Sequence, residues 1–443
     1  MESGIGIEFT LVTSPLTAPV RQLNNGMSAI VHPIPVGSAV AVDVWIKTGG
    51  RHEPPALLGV SHFLEHMVFK GSDRVGPGML DSAVERRGGL TNAATSQDYT
   101  HFYITVAADD LADTLPYLAE VVTRAAIPAD EFERERQVVI EEILRSEDDP
   151  DRRAFKLMLN AAYQNHPYRR PVLGTIDSLN TLTPEMMRAY HRSWYQPEHM
   201  TVVVVGQVEP DATFALLEQH FGTLTSSHRE VDLPVFSPEP PLDEVRRVEQ
   251  AQPRLEQTRL MLAWPGASSA NWEDACGLEC LASVLGDGRS SRLVQLLREE
   301  LGLVRGIGSA SAVHLDPGLF TISAYLEAAD VAAVESAILA EVDRLRRECI
   351  SPVELQRVRR ILANEFVFAA ESPMQLAHLY GYYQLNGGTE LARSYLRRVH
   401  AISAEELRDL ARTYLLSGRY FCTVLKPEEC SVSVGVDSTS TST

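Results

Sequence analysis

No apolar run in this sequence reaches the roughly 18 residues that a membrane-crossing helix needs. The opening stretch MESGIGIEFTLVTSP lacks the basic flank and apolar core of a secretory signal. The expected compartment is therefore the cytoplasm, or the periplasm if a leader has been removed. Cysteine is scarce: Cys276, Cys280, Cys349, Cys422 and Cys430 form an odd set without a CxxC pair. That pattern argues against a disulfide framework and for reduced, mostly buried thiols. Cys276 and Cys280 have the i, i+4 spacing of a helical metal pair, but core packing is the expectation for them. Positive charge is in deficit, with 40 Lys and Arg against 59 Asp and Glu, a net charge of −19. Such a balance excludes nucleic acid as a partner and favours cationic ones, basic peptides among them.

Against these absences stands a chain of 443 residues, 44% hydrophobic and 22% charged, long enough for two to three domains with sizeable cores. Its most informative stretch is His62-Phe63-Leu64-Glu65-His66. At about 100° per residue, positions i and i+4 share a helix face, so both imidazoles can reach one metal ion with Glu65 beside them. Two neutral imidazoles and an adjoining carboxylate are the inventory of a catalytic zinc site, the carboxylate serving as general base. The order, HxxEH, is the reverse of the commoner HExxH. The run from Leu57 to Phe69 has helical periodicity, with Pro54-Pro55 marking its start and Lys70-Gly71-Ser72 its end.

A catalytic zinc needs a third protein ligand and an open position. A second helix is expected over Asp130 to Glu147, where Glu135, Val139 and Glu142 share one stripe. Glu142, near Val138, Val139 and Ile143, sits in a partly apolar setting in which a carboxylate needs a cation. The competing reading puts these acids on a solvated face beside Arg134, Arg136 and Arg145.

The chain divides in two. A polar, proline-rich stretch at 228–250 reads as a linker between an N-terminal domain (1–227) and a C-terminal domain (251–430), followed by a disordered tail (431–443). Each half ends alike: LTPE (182–185) through Trp194-Tyr195 is matched 220 positions later by ISAE (402–405) through Tyr414-Leu415. Both are capped helices leading into apolar strands, Val202 to Val205 and Phe421 to Leu425. The HxxEH helix has a counterpart at Glu273 to Leu285 that carries Cys276 and Cys280. We expect an α+β fold of two tandem homologous α/β-sandwich domains, each a mixed sheet covered by helices on one side, with chemistry kept in the first copy. Ala39 to Lys47 is an early alternating strand.

HFLEHMVFKGS, followed after 75 residues between His66 and Glu142 by ERERQVVIEEI, resembles the inverted-zinc-motif metallopeptidase family of mitochondrial processing peptidase, insulin-degrading enzyme and pitrilysin. The short bacterial two-domain members are the most similar. Further matching segments are GGLTNAATSQDYTHFYITV (88–106), HPYRRPVLGT (166–175) and LTPEMMRAYHRSWYQPEHMTVVVVGQVEP (182–210). The resemblance implies Zn2+ on His62, His66 and Glu142, with Glu65 as general base and Glu135 holding a liganding histidine in the right tautomer. It also implies an extended peptide paired with the sheet edge Leu90 to Thr95, Asn92 and Ala93 lying nearest the scissile bond. The activity implied is metalloendopeptidase cleavage of unfolded or presequence-like peptides.

One departure concerns assembly. Single-chain members, about twice this length, set an arginine and, seven residues on, a tyrosine against the substrate. In LREELGLVRG the arginine is Arg298, but the tyrosine position is Arg305. Short relatives often pair two subunits, one with zinc and one with the Arg/Tyr pair, so this chain reads as the zinc-bearing half of a heterodimer; a homodimer working without tyrosine is the alternative. Two rivals come from other classes: a non-catalytic structural or assembly subunit, and a peptide-binding protein with purely structural zinc. Intact motif positions oppose the first, and three rather than four protein ligands oppose the second.

Overall fold

The computed structural model describes residues 15–226, 236–237 and 239–428. The first sheet is built from β1 (Val20–Gln22), β2 (Ser28–Pro33), β3 (Ala39–Ile46), β4 (Leu90–Thr95), β5 (Thr100–Ala107) and β6 (Met200–Gly206), in the order β1-β2-β6-β3-β5-β4. The second contains β7 (Arg246–Gln252), β8 (Thr258–Pro265), β9 (Val304–Ser311), β10 (Leu319–Leu326) and β11 (Phe421–Pro427), in the order β7-β11-β8-β10-β9. Leaving β1 aside, the two orders correspond strand for strand. In each, the last strand of the half runs parallel to the first and antiparallel to the second. The fold is a duplication of mixed-sheet α/β halves.

β6 explains much of the first half. Its sequence MTVVVVG is buried at every position, as a central strand with both faces covered must be. On β3 the alternation sends Val40, Val42, Val44 and Ile46 to one core and Ala41 and Trp45 to another. The expectation of a sheet covered on one side is thus corrected, because both faces are covered. The second cover comes from the opposite half. Helix Pro373–Leu385 lays Leu376, Ala377 and Tyr380 against Ala41, Trp45, Val203 and Val205. Reciprocally, helix Pro150–Ala162 lays Ala154, Met158 and Ala162 against Met261, Ala263, Phe421 and Leu425 of the second sheet. Each half lends the other one helix.

Polar contacts fasten the same interface. The β9–β10 connection reaches the first half, where Arg51 Nε donates to Asp316 at 2.7 Å and His166 Nε2 lies 2.9 Å from the same carboxylate. Tyr168 donates its hydroxyl to Asp98, which also meets His314 Nδ1 at 3.2 Å. The second sheet starts at Arg246, inside the 228–250 stretch expected as linker, because β7 pairs in parallel with β11. Residue 227, linker residues 228–235 and 238 and the tail 431–443 lie outside the described residues, as does Cys430. Cys276, Cys280 and Cys422 are buried as expected, whereas Cys349 is exposed. Among the described residues no helix is long and apolar enough to cross a membrane.

Candidate metal centre

The HxxEH stretch forms helix Val60–Val68, the motif helix, which starts three residues later than its periodicity suggests. Gly59 is the reason. It holds φ +88, and a Cβ there would come within 2.8 Å of the Cα of Gly174, itself at φ +75. The chain therefore turns at a glycine–glycine crossing and only then coils. Glu53 completes the start by accepting the N–H groups of Gly59 at 2.7 Å and Ser61 at 2.8 Å, donors a helix N-terminus leaves open. Burial nevertheless pushes the Glu53 carboxyl up to about 7. Val60, Phe63, Leu64 and Met67 enter the core, fixing the opposite face toward the second helix.

That helix spans Ala129–Asp148, one residue beyond expectation at each end. Phe132, Val139 and Ile143 anchor it, and Glu135 is buried among them. His62, His66 and Glu142 converge, their ligating atoms all within 4.8 Å of one another. Glu142 Oε2 lies 3.5 Å from His62 Nε2 and 3.6 Å from His66 Nε2. Its setting differs from the apolar one expected: Val138 is exposed and the Glu142 side chain is 34% accessible, so imidazoles rather than valines surround it.

The donor set fits a zinc ion. His66 Nδ1 faces Glu135 Oε1 at 2.9 Å, and Glu135 Oε2 takes Lys70 Nζ at 2.6 Å. With Nδ1 as the protonated nitrogen, the tautomer this bond selects, Nε2 aims a lone pair at the Glu142 oxygen. Two acceptors then face each other, and a cation between them resolves the conflict. Burial, reinforced by the His66 charge and opposed by Glu142, pushes the His62 imidazole down to about 4, into the neutral form a metal requires. Burial also lowers His66, but Glu142 and Glu135 outweigh it and raise the imidazole. For Glu135, burial raises the carboxyl and Lys70 and His66 more than offset this. Before a metal binds, the neighbouring His66 imidazole is the chief influence lowering the Glu142 carboxyl, against burial and with help from His62.

Glu65 takes no part in the ligand cluster. It accepts the Thr95 hydroxyl at 2.5 Å, and burial raises its carboxyl against that bond. Thr95 ends β4, the outer strand of the sheet, whose edge is free among the described residues and, with its alternate exposure, leaves room for another strand. On β4, Asn92 is exposed and Ala93 half-buried, with Asn92 Oδ1 accepting the Ala93 N–H at 2.9 Å. Arg298 is not brought to the cluster: it lies in a π-helical turn, Val294–Glu300, beside Glu299 at 3.3 Å. Arg305, on β9, approaches Glu327 at 4.0 Å. Sequence reading missed Thr95, Lys70 and Glu53 as partners. Thr95 and Lys70 stood inside quoted segments, but only the tertiary fold shows what they touch.

A second group, Asp43, His101 and His378, also gathers potential ligands. There each oxygen of the buried Asp43 already meets an imidazole Nδ1, at 3.0 Å from His101 and 2.6 Å from His378. This is a hydrogen-bonded clasp between β3, β5 and the helix lent by the second half.

The chain thus sets one inverted histidine pair, a carboxylate as the third potential ligand and an adjoining outer strand on a duplicated α/β scaffold. The family description "Insulinase (Peptidase family M16)" matches residues 30–176, and "Peptidase M16 inactive domain" matches 181–362. An uncharacterized zinc protease of Mycobacterium tuberculosis is 32% identical over 424 residues, covering 93% of both chains. The uncharacterized zinc protease YmxG of Bacillus subtilis is 30% identical over 404 residues, 91% of this chain and 97% of that one. Among solved structures, a protease from Helicobacter pylori superposes with a TM-score of 0.88 at 26% identity, covering 94% of this chain and 100% of its own. The chain belongs to the M16 peptidase family, in its short bacterial two-domain form.

Proposed function

We propose that this protein is a zinc metalloendopeptidase acting on unfolded or presequence-like peptides, with zinc held by His62, His66 and Glu142. One observation carries the reading: three ligand atoms from two helices converge within 4.8 Å, beside a carboxylate hydrogen-bonded to a free sheet edge. Zinc held there supplies Lewis-acid activation of water and of the scissile carbonyl. Glu65 is the general base and returns its proton to the leaving amine; its raised affinity for a proton suits that exchange. Thr95 aims the carboxylate, and Glu135 with Lys70 holds His66 in its ligating tautomer. Substrate joins the free edge of β4 as an extra strand, presenting its backbone near Asn92 and Ala93. Folded proteins, whose strands are already paired, are poor substrates on this reading.

Arg298 stays a proposed substrate contact supplied within an assembly, with a homologous Arg/Tyr subunit as the partner. The metal assignment is checked by zinc content: one equivalent per chain in the wild type and none after His62→Ala with His66→Ala. Full occupancy in that double variant refutes the site. Peptide turnover of the chain alone, against the chain mixed with such a subunit, tests the assembly. A tenfold rise needs only about 1.4 kcal/mol of transition-state stabilisation, and no rise makes the chain a self-sufficient peptidase.

A further inference from the structure

The segment HPYRRPVLGT carries two adjacent arginines, and the metal centre uses neither. In the fold they border a cavity of about 510 Å³ that begins where β4 ends. Thr95, the partner of Glu65, forms one wall, and Ser146, one helical turn beyond Glu142, forms another. The remaining charge is of one sign. Arg152, Lys156, Arg169 and Arg170 line the cavity and, among the described residues, no Asp or Glu does, although the chain as a whole carries −19. Phe155 and Leu159 give it an apolar floor. Two of the cations are partly answered, since Lys156 pairs with Glu147 and Arg152 lies 3.8 Å from Asp149. Arg170 donates to the Glu53 carbonyl at 2.9 Å and also feels the charge of the Glu53 carboxylate. Arg169 is not answered: it donates to the Gln164 carbonyl at 2.7 Å and makes no ion pair among the described residues.

A peptide added to the free edge of β4 runs past Thr95 into this cavity. Building on the peptidase reading above, we infer that the cavity is a specificity pocket for a carboxylate of the bound peptide, supplied by an acidic side chain or by the C-terminal α-carboxylate. Guanidinium groups without an anionic partner form strong, planar, charge-assisted hydrogen bonds to carboxylates, and the pocket's half-enclosed walls limit screening. Preference set by net charge alone would favour basic peptides; the cavity lining carries charge of the opposite sign.

The test uses full-length, zinc-loaded protein and peptides of equal length in which Glu replaces Gln at one position at a time, each made with a free or an amidated C-terminus. Binding is read by fluorescence anisotropy on the Glu65→Gln protein and cleavage on the wild type. At about 50 mM salt, one position, or the free terminus, should bind about tenfold tighter with its carboxylate, a difference of about 1.4 kcal/mol. That ratio should shrink at about 500 mM salt. An internal position identifies a side chain as the source, and the terminus identifies the α-carboxylate. Arg169→Glu and Arg152→Glu, both at exposed positions, should each bring the ratio toward one or invert it in favour of Lys. Ratios within twofold across the series, with peptides still cleaved, overturn the pocket alone, as does a ratio unchanged in both variants. Carboxylate-dependent binding without cleavage sustains the pocket and sinks the peptidase; no binding of any peptide sinks both.

Discussion

Two helices occupy equivalent places in the two halves and spell the same spacing in different letters. HFLEH at 62–66 lies between β3 and β4; CGLEC at 276–280 lies between β8 and β9, in helix Trp272–Gly286. Each packs against the outer strand of its own sheet. The second copy is sealed. Cys276 and Cys280 are buried, and burial pushes the Cys280 thiol up to about 12, so without a metal it stays protonated. Glu279 is half-buried, and desolvation pushes its carboxyl up to about 7 against a hydrogen bond from Tyr395. The helices that follow differ in the same sense. Buried Glu135, Val139 and Ile143 recur at a constant offset of 223 as Val358, Leu362 and Phe366. One scaffold thus gathers a candidate metal centre where it opens a face and buries a carboxylate beside a histidine, and a plain core where it does neither.

The sharpest way to break this comparison is to make the same change in both copies. Glu65→Gln should lower peptide turnover by about 10²–10⁴-fold while keeping its zinc, as loss of a general base does. Glu279→Gln should leave turnover within about twofold, because that carboxylate touches Tyr395 and not the open face. Equal losses in the two variants would mean that the second copy shares in the chemistry. A smaller effect is expected at the buried glutamate present in only one copy. Glu135→Gln removes the charge that fixes the His66 tautomer and should weaken zinc binding by about 10–100-fold, measured by competition with a chelator. Unchanged affinity would reduce Glu135 to a packing residue paired with Lys70.

Much of this was legible in the sequence, and what was not has a physical reason. The long acidic helix and the helices capped by Thr183 and Ser403 lie where periodicity and capping residues put them, because those signals are local. The motif helix was misjudged at its start because the crossing of Gly59 with Gly174 depends on residues 115 positions apart. The exchange of helices Pro150–Ala162 and Pro373–Leu385 was invisible for a similar reason. An amphipathic stripe records that a face is buried, not which sheet buries it. The net charge left the sign of the lining beside β4 unread, since a sum carries no position.

The third contrast is one of pH. His191 and Ala411 stand at the same place in the two capped helices, 220 residues apart, and both are buried. Burial, opposed by a bond to the Val122 carbonyl, lowers His191 to about 4. Its folded value lies below the unfolded one near 6.5, so the unfolded chain takes the proton first. The stability this residue contributes is therefore complete above about pH 6.5 and is lost as pH falls toward 4, at a slope approaching about 1.4 kcal/mol per pH unit. His191→Gln should be less stable at pH 7.5 yet flatter across that window in denaturant unfolding of the zinc-loaded protein. Parallel curves would show that His191 is not the titrating group.

The smallest effect is expected where the second copy most resembles the first. If Cys276 and Cys280 are core residues, Cys280→Ala removes one buried sulfur and costs about 1 kcal/mol, the order seen for small truncations in well-packed interiors. Zinc content should stay at one equivalent per chain, because neither thiol belongs to a group of three potential ligands among the described residues. Packing explains why the helix cannot open to form one: a Cβ on Gly277 would lie 2.1 Å from Leu410 Cδ1, so the neighbouring helix already fills that face. Thermal unfolding and metal analysis of the same preparation separate the two readings. A second zinc equivalent in the wild type that disappears in Cys280→Ala would turn CGLEC from a filled core position into a working metal site, and the division of labour between the halves would have to be abandoned.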